Sequence, residues 1–304
     1  MATLIIHGTV PVKIPFTVKW WWDSWHEAGF LDAMAKAMHQ ASGTSQDDIW
    51  KVKGVPVARV AALEAQGPSG WQAALDPAAW EKLIDPRRYL DAEQPMIHQG
   101  CFMWSGSDMD SERQRAGRAL AHYLNRIHRL APDEPIRLVA HSHGCNVVKV
   151  ASSSDILDPA IFIERAAFLA CPHCTIERGG RTLYPYRLDP ARFGAILNAY
   201  SARDTVQEKL AQDLPGPPEG SDMVMGIFRA HRQEQDPAAK GKYIDLALVT
   251  EDKGIKAHSA MHGRQMGALL GGWLTYDPDD FKARYEAANA AYGAFTIPAG
   301  DFGE

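Results

Sequence analysis

One stretch of the chain carries an unusual density of reactive side chains: Val139-Ala140-His141-Ser142-His143-Gly144-Cys145-Asn146-Val147. Two chemistries fit these letters. His141, His143 and Cys145 are all metal-ligand types, which would require zinc. Alternatively, Ser142 sits on a sharp strand-to-helix turn as a nucleophile, which would require a distant acid and base. Spacing argues against the metal. His141 and His143 alternate about a turn, so their side chains diverge. A metal site built on Cys171, His173 and Cys174 is weaker still, because it lacks a second Cys/His pair at a zinc-like spacing. No metal and no organic cofactor is expected.

The surroundings suit the turn. Ile136–Ala140 reads as a strand and Cys145–Ala151 as the start of a helix. The motif has the form small-x-Ser-x-small, with Ala140 where the usual pattern has its first glycine. Small residues are needed because the turn is strained and backbones approach closely. An ordinary buried serine in a strand-helix turn would show the same local letters. The elbow differs in what it demands elsewhere: an acid after a later strand, then a histidine after the last. Asp204, in Ser201-Ala202-Arg203-Asp204-Thr205-Val206, lies just past the strand 195–200. It also fits the N-cap of a helix starting at Thr205, and both roles are compatible. His258, in Lys256-Ala257-His258-Ser259-Ala260-Met261-His262-Gly263, lies past the strand 243–249. Imidazole is the natural proton shuttle near neutral pH. His262 is its rival. His258 is preferred because it is nearer the strand end and is expected in a loop, with His262 in the first turn of the next helix. An oxyanion hole needs two backbone N–H groups. His143, the residue after the nucleophile, would give one. Gly8 or Thr9, in Leu4-Ile5-Ile6-His7-Gly8-Thr9, would give the other.

These residues must be positioned by alternating elements. Short apolar runs at 3–6, 96–104, 136–140, 166–169, 195–200 and 243–249 read as strands covered on both faces. Helical spacing appears at 27–41, 108–128, 145–151, 205–212 and 263–274. The order strand, helix, strand predicts an α/β fold: a mostly parallel sheet of about six core strands with helices on both faces. The 304 residues are expected to form a single domain. Residues 9–95 and 205–242 break the rhythm, the second at Leu214-Pro215-Gly216-Pro217-Pro218-Glu219-Gly220. Both read as insertions capping one end of the sheet. The tail after Gly293 reads as irregular.

Taken together, Leu-Ile-Ile-His-Gly-Thr at 4–9, Phe-Met-Trp-Ser-Gly-Ser at 102–107, the Ser142 motif, Leu-Ala-Cys-Pro-His at 169–173, Ser-Ala-Arg-Asp-Thr-Val at 201–206 and Ala-His-Ser-Ala-Met-His at 257–262 resemble the α/β-hydrolase superfamily, particularly its lipase/esterase-like members. The resemblance runs from Leu4 to about Leu274. It implies a fold without the superfamily's first two strands, because the His-Gly loop comes at the N-terminus. It implies a sheet with the Met96 strand at one edge and the Tyr243 strand near the other. It also implies a serine hydrolase, with Ser142 attacking an acyl carbonyl, His258 shuttling the proton and Asp204 orienting the imidazolium. The side chains expected near substrate are His7, Trp20, Trp21, Trp22, His173 and His262. The tryptophans of Lys19-Trp20-Trp21-Trp22-Asp23-Ser24-Trp25 fit core packing equally. As a lid or pocket wall they would favour lipid or other apolar acyl esters, or contact with a membrane surface.

Other readings stay open. An amidase or thioesterase would use the same triad. Cys171-Pro172-His173-Cys174 has the form of a thiol-disulfide redox motif, although its setting matches the hydrolase pattern better. A non-catalytic binding protein could keep the scaffold. The net charge of −5 and the lack of a basic block argue against a nucleic-acid partner. Four cysteines are too few for a disulfide framework. With no cleavable signal pattern and no apolar run of membrane-spanning length, cytoplasmic residence is the default expectation, and export without a cleaved signal remains open. A toxin delivered to other cells, with an inhibitor or immunity protein as partner, is the biological role that the lipase resemblance suggests.

Overall fold

The computed structural model describes residues 2–8, 29–43, 97–98, 101–102, 104, 106, 110–178, 181–183, 186–201, 203–204, 206, 228–231, 242–250, 253–292 and 296–297. Thr9, the tryptophans at 20–22 and most of the stretches 9–95 and 205–242 lie outside these residues.

The chain is an α/β protein. Its elements are β1 (Ala2–Ile6), α1 (Phe30–Ser42), β2 (Ile97–His98), β3 (Cys101–Phe102), α2 (Asp110–Leu130), β4 (Ile136–His141), α3 (His143–Ser152), β5 (Ile163–Leu169), β6 (His173–Arg178), β7 (Arg181–Leu183), β8 (Phe193–Ser201), β9 (Phe228–His231), β10 (Tyr243–Thr250), α4 (Ile255–Ser259), α5 (Arg264–Thr275), α6 (Pro278–Tyr292) and β11 (Thr296–Ile297). Single 3₁₀ turns cover Pro190–Arg192 and Ala260–His262. The main sheet has 8 strands in the order β11-β10-β8-β5-β4-β1-β3-β2. All neighbours run parallel except the β2–β3 pair at one edge. The expected 96–104 strand is therefore two short strands folded back on each other. The tail expected to be irregular contributes β11 at the opposite edge, paired with β10.

Parallel neighbours explain the continuous apolar runs. Leu4, Ile5, Ile6, Leu138, Val139, Phe168, Leu169, Ile196 and Leu197 are all buried, because helices cover both faces. Right-handed crossovers decide which helix lies where. The chain steps one way from β1 to β3 through α1, then back past β1 to β4 through α2 and on to β5 through α3. The two directions place α1 opposite α2 and α3. The fold agrees: α1 packs on α5, and α2 packs on α3. Of the 9–95 stretch, α1 is a crossover helix of this core, its Phe30, Met34 and Met38 fully buried. Trp273 of α5 is likewise buried, and its indole N–H donates to the Ala166 carbonyl of β5 at 3.0 Å.

A second, 3-stranded antiparallel sheet, β7-β6-β9, branches off after β5. It is absent from the sequence-based expectation. No described helix is long and apolar enough to cross a membrane.

The α1–α5 contact is made by glycine. A Cβ on Gly271 would stand 2.6 Å from both Ala37 Cβ and Met34 O, whereas one on Gly272, a residue further on, would make ordinary contacts with Tyr276 at 3.6 Å and Phe281 at 3.9 Å. Gly271→Ala is expected to lower the unfolding free energy by about 1–3 kcal/mol through overpacking. Gly272→Ala should raise it by up to about 1 kcal/mol, since alanine favours the helix. Urea denaturation of the two variants beside the parent checks both signs.

Candidate active site at the switch point of the sheet

The chain starts at β1, moves one way to β3, then reverses to β4. The C-terminal ends of β1 and β4 therefore border the switch point where open α/β sheets bind ligands. Register puts the residues after these strands side by side, since Ile6 pairs with Ala140. His7 and Gly8 thus adjoin His141 and Ser142.

Ser142 has φ 52° and ψ −130°, and is one of two described non-glycine residues with positive φ. Its amide still donates to Leu169 O at 2.8 Å, so β4 is held to its last residue before the chain swings into α3. Ser142 occupies the N-cap position of α3, yet its side chain makes no capping bond. A serine present for capping would spend its oxygen on the N–H groups of the first turn. This hydroxyl has no hydrogen-bond partner among the described residues and stands at the positive end of the helix.

Two glycines make the turn fit. A Cβ on Gly8 would stand 2.7 Å from Ser142 Cβ and 3.0 Å from His141 O. A Cβ on Gly144 would collide with the carbonyls of Ile6 and His7. The backbone of β1's end is thereby pressed against the serine turn. The N–H groups of Gly8 and His143 have no acceptor among the described residues, so both remain available to a developing oxyanion.

His7 holds the Gly8 side in place. Its Nδ1–H donates to Gly8 O at 2.8 Å, and its Nε2 accepts from the Trp104 amide at 3.2 Å. Trp104 returns a bond from its indole N–H to His7 O at 2.8 Å, and the two rings stack at 5.5 Å. His7 is thus a buried brace of the loop, where the sequence suggested a substrate contact. Burial drives its pKa down to about 4, against the smaller opposing effect of its backbone partners.

Asp204 follows the end of β8, and His258 lies on α4 after β10. Asp204 is fully buried and His258 nearly so. His258 Nδ1–H donates to Asp204 Oδ2 at 2.8 Å, while Asp204 Oδ1 accepts the Val206 amide at 3.0 Å. The carboxylate therefore both caps the following turn and holds the imidazole. With Nδ1 carrying the proton, the neutral ring presents a lone pair at Nε2. Gly254 N donates to Arg203 O at 2.9 Å, binding the two loops together, and His258 N donates to Gly254 O at 3.0 Å. His258 lies in the short helix α4, not in the expected loop. His262 lies in the 3₁₀ turn before α5, not in that helix's first turn, and its side chain is outside the described residues.

Of the two residues flanking Ser142, His141 packs against His258. The His141 and His258 rings lie 4.6 Å apart, and His141 Nε2 bonds the His258 carbonyl at 3.2 Å. His143 turns the other way, its Nδ1 accepting from Asn146 Nδ2 at 3.0 Å. The two histidines diverge, and no group of three or more metal-ligand side chains is gathered among the described residues. The His143 side chain is buried, not at an open rim. Burial, then the positive charge of Arg113, the His258 ring and Lys149, hold its pKa well below the ordinary value. His173 is also no rim residue. It is 1% exposed, bonded to Lys149 Nζ and Asn198 Oδ1 at 3.2 Å each.

Sequence reasoning missed Trp104 and His141 as supports. His7 and Trp104 are 97 positions apart, and only the adjacency of β1 and β3 joins them. The chain matches no protein-family model and no curated protein sequence.

The neutral buried state of His7 links to stability. Its folded pKa is depressed from 6.5 to about 4, so the unfolded chain binds more protons between those values. The contribution is complete above pH 6.5 and is lost as the pH falls toward 4. It amounts to about 3 kcal/mol across that window. His7→Gln should flatten the slope of unfolding free energy against pH by that amount, measured by urea titrations from pH 4 to 7.

Proposed function

We propose that the protein is a serine hydrolase of α/β-hydrolase type that cleaves carboxylic esters, with Ser142, His258 and Asp204 as its triad. The observation that carries this reading is the uncapped Ser142 on its positive-φ turn, with a preformed His258–Asp204 pair packed against the preceding residue, His141. The strand order around β1 and β4 and the place of the triad at C-terminal strand ends support the fold assignment.

In this mechanism Ser142 Oγ attacks the acyl carbonyl as its proton passes to His258 Nε2. The new imidazolium is stabilised by Asp204 Oδ2 at Nδ1. The carbonyl oxygen gains negative charge against the N–H groups of His143 and Gly8. His258 then gives the proton to the leaving alcohol, and an acyl-Ser142 ester remains. Water attacks that ester, His258 takes the water's proton, and Ser142 leaves with the proton returned. Catalytic hydrogen bonds tighten once substrate is bound, so the unbonded hydroxyl is compatible with this route. Lipid or other apolar acyl esters are the proposed substrates, on the lipase-like motifs and the Trp20-Trp21-Trp22 cluster.

A fluorophosphonate probe should label the protein once, at Ser142, and Ser142→Ala should abolish labelling. A single label elsewhere, or none on folded protein, would sink the proposal. Against nitrophenyl esters of graded chain length, Asp204→Asn should lower kcat by roughly 10³–10⁴-fold, with a smaller effect on KM. A parallel series of amides and thioesters separates esterase from the other acyl transfers.

A further inference from the structure

Cys145 and Lys149 stand one turn apart on α3 and share a face of that helix. The Cys145 thiol donates to Ala140 O at 3.2 Å and lies 3.9 Å from Leu169 O. Just past Leu169 the chain turns through Ala170, at φ 48°, and brings Cys171 beside Cys145. Both thiols are free and buried. Cys171 also adjoins His173 and Lys149.

The cluster has a definite polarity. Lys149 is 3% exposed, and its ammonium donates to His173 Nδ1 at 3.2 Å. His173 Nε2 lies 3.2 Å from Asn198 Oδ1, and Asn198 Nδ2 donates to Asp245 Oδ1 at 2.8 Å. No carboxylate among the described residues touches the ammonium directly. A buried cation favours an anion beside it. Two thiols, Cys145 and Cys171, lie within the reach of its charge. Burial opposes loss of the Cys171 proton, but the Cys145 thiol, His173 and Lys149 together outweigh it and hold the Cys171 pKa well below the ordinary thiol value. Burial and the adjacent Cys171 push Cys145 the other way. Cys171 is thus the more acidic of the two adjacent thiols.

We propose that Cys145 and Cys171 form an intramolecular disulfide when the protein meets a peroxide, with Cys171 as the attacking thiolate. The Cys171 sulfur displaces hydroxide from the peroxide and becomes a sulfenic acid. The Cys145 sulfur then attacks that sulfur, its proton and the sulfenic hydroxyl leave together as water, and the S–S bond closes. The peroxide takes both electrons. Peroxide is close to water in size, so it can reach thiols that larger oxidants cannot. The bond would tie the first turn of α3 to the turn after β5. It pairs Cys171 across the fold, not with Cys174 in the local Cys-Pro-His-Cys motif.

The test is a peptide map of the full chain, treated with hydrogen peroxide, alkylated and digested without reductant. The expected product is a Cys145–Cys171 peptide pair lighter by two hydrogens, retained in Cys174→Ser and absent in Cys145→Ser. In the latter, Cys171 should run on to sulfinic acid. Lys149→Met should slow the cross-link roughly tenfold, since the thiolate loses its cation. A Cys171–Cys174 link would overturn the proposal. So would a wild-type Cys171 that stays alkylatable at peroxide levels that oxidise the urea-unfolded chain. The wild-type map and Cys174→Ser decide the matter even if the other variants fold poorly.

Discussion

Ser142 holds a backbone conformation that costs a non-glycine residue about 1–3 kcal/mol, and the surrounding structure keeps it there. The restraint comes from three sides. Leu169 O fixes its amide, α3 continues its carbonyl through the Cys145 amide, and the end of β1 presses against its Cβ through Gly8. The last contact sets the geometry of the region. It requires β1 to sit beside β4, no side chain at positions 8 and 144, and a His7 that keeps the Gly8 carbonyl turned toward its own ring. The sheet order, the glycines and the His7–Trp104 brace all serve one close approach of two backbones.

Histidine chemistry divides along the same lines. Four imidazoles surround the serine turn, and each meets a different partner. His7 bonds backbone groups, His143 bonds an amide, His141 bonds the His258 carbonyl, and His258 bonds a carboxylate. Only the last partner carries a negative charge. Burial holds His7 and His143 neutral. Among residues of one type, the environment gives a single one a buried carboxylate partner.

Much of this was legible in the chain. The runs 136–140, 195–200 and 243–249 correspond to β4, β8 and β10 within a few residues, because buried parallel strands read as unbroken apolar stretches. The order of Ser142, Asp204 and His258 followed from the elbow's demands, and the structure places each at a strand's C-terminal end. What escaped depended on partners distant in sequence. The strand at 173–178 forms by pairing with 228–231, and no local pattern announces that pairing. His173 resembled a rim residue because it follows a strand end, but its environment is set by Lys149 and Asn198 on two other elements. The hairpin of β2 and β3 read as one strand because the apolar Met96, Ile97, Cys101, Phe102, Met103 and Trp104 outweighed the break at Gln99-Gly100, and periodicity alone cannot reveal a reversal.

The backbone bond from Gly254 to Arg203 joins the loop that carries Asp204 to the helix that carries His258. Its effect is to tie the Asp204 carboxylate and the His258 imidazole into one mechanical part, reinforced by their own 2.8 Å contact. That part is in turn pinned to the serine turn, because His141 Nε2 bonds the His258 carbonyl at 3.2 Å. A shift of either strand end would therefore strain the other.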